Sequence, residues 1–240
     1  MNHTKDDRIN EIISKDYLSS LVLEKYDIDY VKHKNKKLSE VCNTGLNEIL
    51  MEINNLKNHD FYRLKEWEPG LLCDYIVNVH HGYLKKSFLK CISKMKALFS
   101  EGKKNSDILK EIKQIYSELE IHFKKEEKML FPYIKELSEI NKKMEKYEVP
   151  PFGSISDLIK VIKKEHSEMG VRFKKNIDAF KNEPAKSNQS IKKEELYGEL
   201  KVLLLDFLYH IHLENNMLFP KAIVQEKKLK RHFKINNKKK

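Results

Sequence analysis

Glycine and proline are scarce in this chain, seven and six residues among 240. What fills the sequence instead is Leu, Ile, Lys and Glu. Straight-chain residues of that kind lose little freedom in a helix, so the composition favours helices over sheet. No apolar run approaches the roughly 20 residues that a membrane span needs. The opening MNHTKDDRIN lacks the apolar core of a signal peptide. A soluble, cytoplasmic protein with no membrane partner is therefore expected. Cysteine is limited to Cys42, Cys73 and Cys91, odd in number and with no CxxC pair. That argues against a disulfide framework or a zinc ribbon and for small, partly buried apolar side chains. Acidic residues are outnumbered, 36 against 47 basic, for a net charge of +11. Lysine, however, is spread along the whole chain and interleaved with glutamate. This reads as a solvated surface rather than a nucleic-acid footprint, and the basic end KLKRHFKINNKKK reads as a disordered tail.

Three stretches look like breaks: KNHDFYRLKEWEPG, YEVPPFGSIS and KNEPAKSNQS. The length suits one ordinary domain plus a small one. The expected division is a small helical N-terminal domain over 1–62, a four-helix bundle over 69–230 and a basic tail over 231–240. The bundle helices are expected from about Leu71 to Phe99, Ser106 to Phe131, Ser154 or Ser156 to Phe180, and Ser190 to Phe219. Pro69 suits the start of the first, and Ser154 or Ser156 an N-cap of the third. Short connections imply an all-α, up-down-up-down arrangement. In the second and fourth helices the proline of Leu-Phe-Pro should kink or restart the helix, because it removes a donor and crowds the preceding turn.

The apolar register of these helices carries the functional signal. The first helix gives Val77, His81, Leu84, Phe88 and Met95; the second gives Ile108, Ile112, Ile115 and Leu119, then His122, Glu126 and Met129. The third gives Ile155, Ile159, Ile162, then His166, Met169 and Phe173; the fourth gives Leu196, Leu200, Leu203 and Phe207, then His210, Glu214 and Met217. Steps of three and four residues trace a core-facing seam, and each seam holds one histidine. Two hold a glutamate one turn later, inside a repeated phrase: HFKKEEKMLFP from His122 and HIHLENNMLFP from His210. The order His, HxxxE, His, HxxxE suggests a two-helix unit present twice.

Four imidazoles and two carboxylates facing a bundle interior need a counter-charge, since an unpaired buried carboxylate costs several kcal/mol. A metal cation neutralises the acids and takes the imidazole lone pairs. Residues four apart are about 40° apart around a helix, so His122 and Glu126 can reach one pocket. Imidazole with carboxylate suits iron best among redox metals, with zinc and manganese also compatible. Glu126 and Glu214 could each bridge two metals, with two histidines on each and room for an oxo or hydroxo bridge and an open position. His212 and Glu127 point away from the seam and are expected on the surface or flank. His80 flanks the seam, which favours His81 as the ligand. His3, His33, His59 and His232 lie outside the pattern, and Tyr75, Tyr83 and Tyr116 are read as ordinary packing.

HFKKEEKM resembles the hemerythrin signature, whereas ferritin-like carboxylate proteins use Glu-x-x-His. NVHHGYLKK, KKEHSEMG and HIHLENNMLFP, with LEKYDIDY and LSEVCNTGLNEILMEI before them, are similar to the di-iron proteins that repair iron–sulfur clusters (the Ric family). The resemblance implies a non-heme di-iron centre on His81, His122, Glu126, His166, His210 and Glu214, with Glu126 and Glu214 bridging. It further implies that Glu165, beside His166, serves proton or solvent access as a catalytic residue. One departure stands out: Val31 and Lys32 occupy the places where that family has two adjacent cysteines. Any role of a thiol pair is put in doubt, and Cys42 lies too far along to replace it.

The function so implied is repair of damaged iron–sulfur clusters in the response to nitrosative or oxidative stress, with damaged iron–sulfur proteins and small diatomic ligands (nitric oxide, oxygen) as partners and a homodimer as a candidate assembly. The alternative is a sensor or carrier that binds oxygen or nitric oxide without turnover.

Overall fold

The computed structural model describes residues 3–15, 18–26, 28–30, 32–42, 44–56, 64–99, 106–143, 147–148, 150, 152–184 and 189–237. Two compact units divide the chain, Met1–Trp67 and Glu68–Lys240.

In the first unit α1 (Ile9–Lys15), α2 (Ser19–Lys25), α3 (Leu38–Val41) and α4 (Leu46–Asn55) surround Ile9, Ile12, Leu23, Leu38, Ile49 and Ile53, all buried. Ile13 and Leu18, expected in this core, are half-buried, and the Leu21 side chain lies outside the described residues. The turn before α3 is pinned by backbone: Ile9 N–H donates to the Lys36 carbonyl and Asn10 N–H to that of Lys34. Val31 also lies outside the described residues, while the Lys32 N–H donates to Asp29 Oδ1 at 2.9 Å. All three cysteines are free, Cys73 and Cys91 buried and Cys42 partly so.

The second unit is an all-α, up-down-up-down four-helix bundle. Its first helix runs through α5 (Pro69–Tyr75), a π segment π1 (Ile76–His81) and α6 (Gly82–Phe99). The second runs through α7 (Ser106–Lys125), π2 (Glu126–Leu130) and α8 (Phe131–Lys143). The third is α9 (Ile155–Asn182), and the fourth comprises α10 (Ser190–Leu213), π3 (Glu214–Leu218) and α11 (Phe219–Asn237). Each packs on its neighbours in chain order, and the fourth closes the ring on the first. Local chemistry sets several ends. Pro69 opens α5 where its missing donor costs nothing. Ser154 caps α9 by accepting from the Ser156 N–H, and Gly153 before it takes the left-handed φ of 84° that a side chain would resist.

The bundle core is the expected seam: Leu84, Phe88, Met95, Ile112, Ile115, Leu119, Phe173, Leu196, Leu200, Leu203 and Phe207 are all buried. Besides Ile108, half-buried in the first turn of α7, two seam residues depart from expectation. Val77 is half-buried while Ile76 is buried, and Met129 faces solvent while Leu130 and Phe131 are buried. Both lie at π turns, where one extra residue per turn shifts the buried positions along the chain. The Leu-Phe-Pro phrases end no helix. The N–H groups of Phe131 and Phe219 reach the carbonyls of Glu126 and Glu214, five residues back. Pro132 and Pro220 then fall in the first turn of a restarted α-helix, where proline is tolerated. The fourth helix therefore continues to Asn237 through most of the segment expected as disordered tail. Among the described residues, no helix is long and apolar enough to cross a membrane.

Candidate metal centre

Each bundle helix delivers its seam histidine to one level. His81 ends π1, His122 stands one turn before π2, His166 lies mid-way along α9 and His210 one turn before π3. Glu126 and Glu214 open π2 and π3. All six side chains are buried, both glutamates at 0 % exposure. Donor atoms of His122, His166, His210 and Glu214 lie within 4.8 Å of one another, as do those of His81, Glu126 and Glu214. The six are thus brought together in two overlapping groups that share Glu214.

Within the cluster, His122 Nε2 lies 3.1 Å from Glu126 Oε1, and His166 Nε2 lies 3.1 Å from Glu214 Oε2. His81 Nε2 is 3.5 Å from Glu126 Oε2 and 3.8 Å from Glu214 Oε1. These are ion-pair distances without hydrogen-bond geometry: all four glutamate oxygens, His81 Nε2 and both ring nitrogens of His210 are buried with no hydrogen-bond partner. Orphaned polar atoms in such number are rare in a folded interior. The Nε2 atoms of His122 and His166 also face each other at 2.8 Å. Two bare lone pairs at that distance repel, whereas two imidazoles bound side by side to one ion at about 2.1 Å face each other across about 3 Å. The donor set thus fits a cation, and with two carboxylates shared among four imidazoles it fits a pair.

The outer nitrogens are fixed by carboxylates on the next helix. His81 Nδ1 donates to Glu127 at 3.0 Å, and Lys85 holds the same oxygen at 2.8 Å. His122 Nδ1 donates to Glu165 at 2.8 Å, and Lys125 holds its other oxygen. A carboxylate only accepts, so Nδ1 carries the hydrogen and, in the neutral ring, the Nε2 lone pair is turned inward. Rings complete the walls: Phe123 stacks on His81 with centroids 3.8 Å apart, and Phe219 lies parallel to His166 at 6.4 Å.

The electrostatics follow from this arrangement. Burial alone would lower the His122 imidazole, but Glu126 and then Glu165 outweigh it and lift it to about 10. His81 and His166 rise in the same way, against burial, through Glu127 and Glu214 for the first and Glu126 and Glu214 for the second. His210 falls well below its ordinary value through burial and the neighbouring His81 and His166. Burial opposes ionisation of Glu126, yet His122 and His166 hold it well below the usual carboxylate range. Glu127 and Glu165 are each held at about 2, chiefly by the histidine each one accepts from. Without metal, protons on His81, His122 and His166 stand where cations would.

Neighbouring residues take roles that helix spacing does not disclose. Glu127 is no bystander on the flank, since it holds His81. His212 is buried rather than on the surface, with Asn216 Nδ2 3.0 Å from its Nδ1. Neither belongs to the two donor groups among the described residues. His80 is buried too, but faces Asp206. His59 lies outside the described residues, and His3 pairs with Asp7 in the first unit. Glu165 sits about a quarter exposed on the wall of an open cavity of about 390 Å³, with His122, Lys125, Glu118 and Arg172 beside it. In the sequence Glu165 is marked by the family resemblance, and Glu127 only by its place beside a seam glutamate.

Comparison with known proteins agrees with this geometry. Residues 74–222 match the family model described as the hemerythrin HHE cation binding domain. The chain is also 27 % identical over 217 residues to a protein of Haemophilus influenzae named "Probable iron-sulfur cluster repair protein", a match that covers 84 % of this chain and 90 % of that protein. The chain belongs to the hemerythrin HHE cation-binding family.

Proposed function

We propose that this protein binds two iron ions between its four bundle helices and supports the repair of damaged iron–sulfur clusters in the cytoplasm under nitrosative or oxidative stress. The observation that carries the reading is the convergence of four buried imidazoles on two fully buried glutamates whose four oxygens lack hydrogen-bond partners. The name of the Haemophilus influenzae relative supports the choice of damaged iron–sulfur proteins as clients.

In this reading His81, His122, His166 and His210 would hold the ions through ring nitrogens, and Glu126 and Glu214 would hold and neutralise them. Bound iron would supply open coordination positions and one-electron chemistry toward nitric oxide or oxygen. The chain's own part is to hold that site dry and fixed. Glu127 and Glu165 keep the His81 and His122 rings in the orientation that aims Nε2 inward. Phe123, Phe131 and Phe219 exclude water from the rings. Glu165, on the cavity wall, gives a proton at His122 Nδ1 a path to solvent.

The test is repair of a purified hydratase whose iron–sulfur cluster has been damaged by nitric oxide. Iron-loaded protein should restore hydratase activity, and the Glu126→Ala/Glu214→Ala double variant should not. Equal recovery with both would remove the centre from the function. A reversible optical change with nitric oxide, and no recovery of the client enzyme, would favour the sensor or carrier reading instead.

A further inference from the structure

Two consecutive histidines in π1 are buried on different sides of the first helix. His81 turns into the centre, and His80 turns toward the fourth helix. There its Nδ1 meets Asp206 Oδ1 at 3.0 Å. The His80 ring stands edge-on between Tyr75 and Tyr209, with centroids 5.3 and 5.2 Å away. Its Nε2 and the second oxygen of Asp206 are buried without hydrogen-bond partners. Neither residue belongs to the donor groups of the centre.

The placement is systematic. At this level a carboxylate from one helix holds a histidine of a neighbour three times: Glu127 ties the second helix to His81 of the first, Glu165 ties the third to His122 of the second, and Asp206 ties the fourth to His80 of the first. Asp206 lies one helical turn before His210. The tie therefore spans the two helices that carry His81 and His210, whose rings are 5.7 Å apart.

This third tie matters because of how the π turns end. After π2 and π3 a Phe-Pro pair restarts the α-helix and fixes its register. After π1 comes Gly82-Tyr83, and Gly82 N–H is shared between the carbonyls of Val77 and Val79. Glycine imposes no register of its own. A metal donor has to be held within about 0.5 Å and 10–20° to be useful.

We propose that His80 and Asp206 form a positioning pair that fixes the azimuth of π1, and thereby seats His81 in the half of the centre it shares with Glu126 and Glu214. The proposal rests on the metal-site reading given above. Its effect falls mainly on one ion of the pair: in the group made by His122, His166, His210 and Glu214, Glu165 holds the His122 ring independently of Asp206.

Cobalt(II) titration of the full-length protein, followed by its visible absorption and paired with a melting curve, tests this. Wild-type protein should bind two ions. Asp206→Leu, which removes the acceptor while keeping the branched shape of the side chain, should bind one ion as before and the other about 10–100-fold more weakly. Asp206→Asn, which keeps an acceptor oxygen, should stay close to wild type. His80→Phe retains the ring between the two tyrosines and should repeat the Asp206→Leu result, so the test survives if either variant fails to fold. Unchanged affinity for both ions in Asp206→Leu or His80→Phe would overturn the pair while leaving the centre intact. So would equal weakening of both ions in step with a lower melting temperature. No cobalt bound by wild-type protein would overturn the metal site itself, and the pair with it.

Discussion

Glu165 and Glu127 do for two histidines what no seam residue does, because each reaches the outer Nδ1 of its ring from the adjacent helix. Replacing Glu165 by Gln leaves an oxygen for His122 but removes the charge that Lys125 pairs with. The expected result is iron affinity lower by about 10–100-fold with an unchanged circular dichroism spectrum, measured by competition with a chelator. Protonation supplies a second prediction at this scale. His122 is lifted to about 10 in the metal-free protein, from an ordinary 6.5. A raised folded-state value stabilises fully below the unfolded one and is lost as pH climbs through the folded one. Metal-free protein should therefore lose melting temperature between about pH 6.5 and 10, and iron-loaded protein should show little of that slope, because metal replaces the protons. The six central residues could be read from the sequence because spacing along one helix reports which side chains share a face. Glu127, Glu165 and Asp206 work across helices, and no spacing within one helix encodes a partner on the next. The resemblance pointed to Glu165 near the site, but its contact with His122 needed the fold.

The helices themselves were largely legible, since long periodic stretches with Pro69 and Ser154 at their starts leave little choice. The π turns were not. A 3.6-residue period read straight through Glu126 puts Met129 in the core, yet Met129 is 37 % exposed and Phe131 is buried. The extra residue returns Phe131, Ile134 and Leu137 to the interior. Deleting Lys128, which is exposed within π2, should convert the turn to α and swing α8 by about 100°. That would expose Phe131, and the variant should lose both iron and cooperative melting. By contrast Phe173→Ala, deep in the bundle one helix away, should cost about 3–5 kcal/mol in denaturant unfolding as any large core truncation does.

At the scale of the molecule, the helical bundle and its polar centre are one object: the side chains that would bind metal are also its most buried charges. A chain that buries Glu126 and Glu214 completely is stabilised by whatever neutralises them, so ligand and fold are linked. The division into two units was suggested by composition breaks near residues 57–70, although residues 57–63 lie outside the described ones. What the first unit contributes was the least legible part. Val31 and Lys32 stand where the resemblance expects thiols, and Ile9, Ile12, Leu23 and Leu38 are buried in the core of this unit.

The measurement that bears most directly on the centre is the metal content of protein purified without added metal or chelator, set beside the Glu126→Ala/Glu214→Ala variant. Two irons per chain are expected in the wild type, and close to none in a variant that remains helical. A wild-type chain that takes up no iron even when supplied with it, or a variant as fully loaded as the parent, would contradict the account.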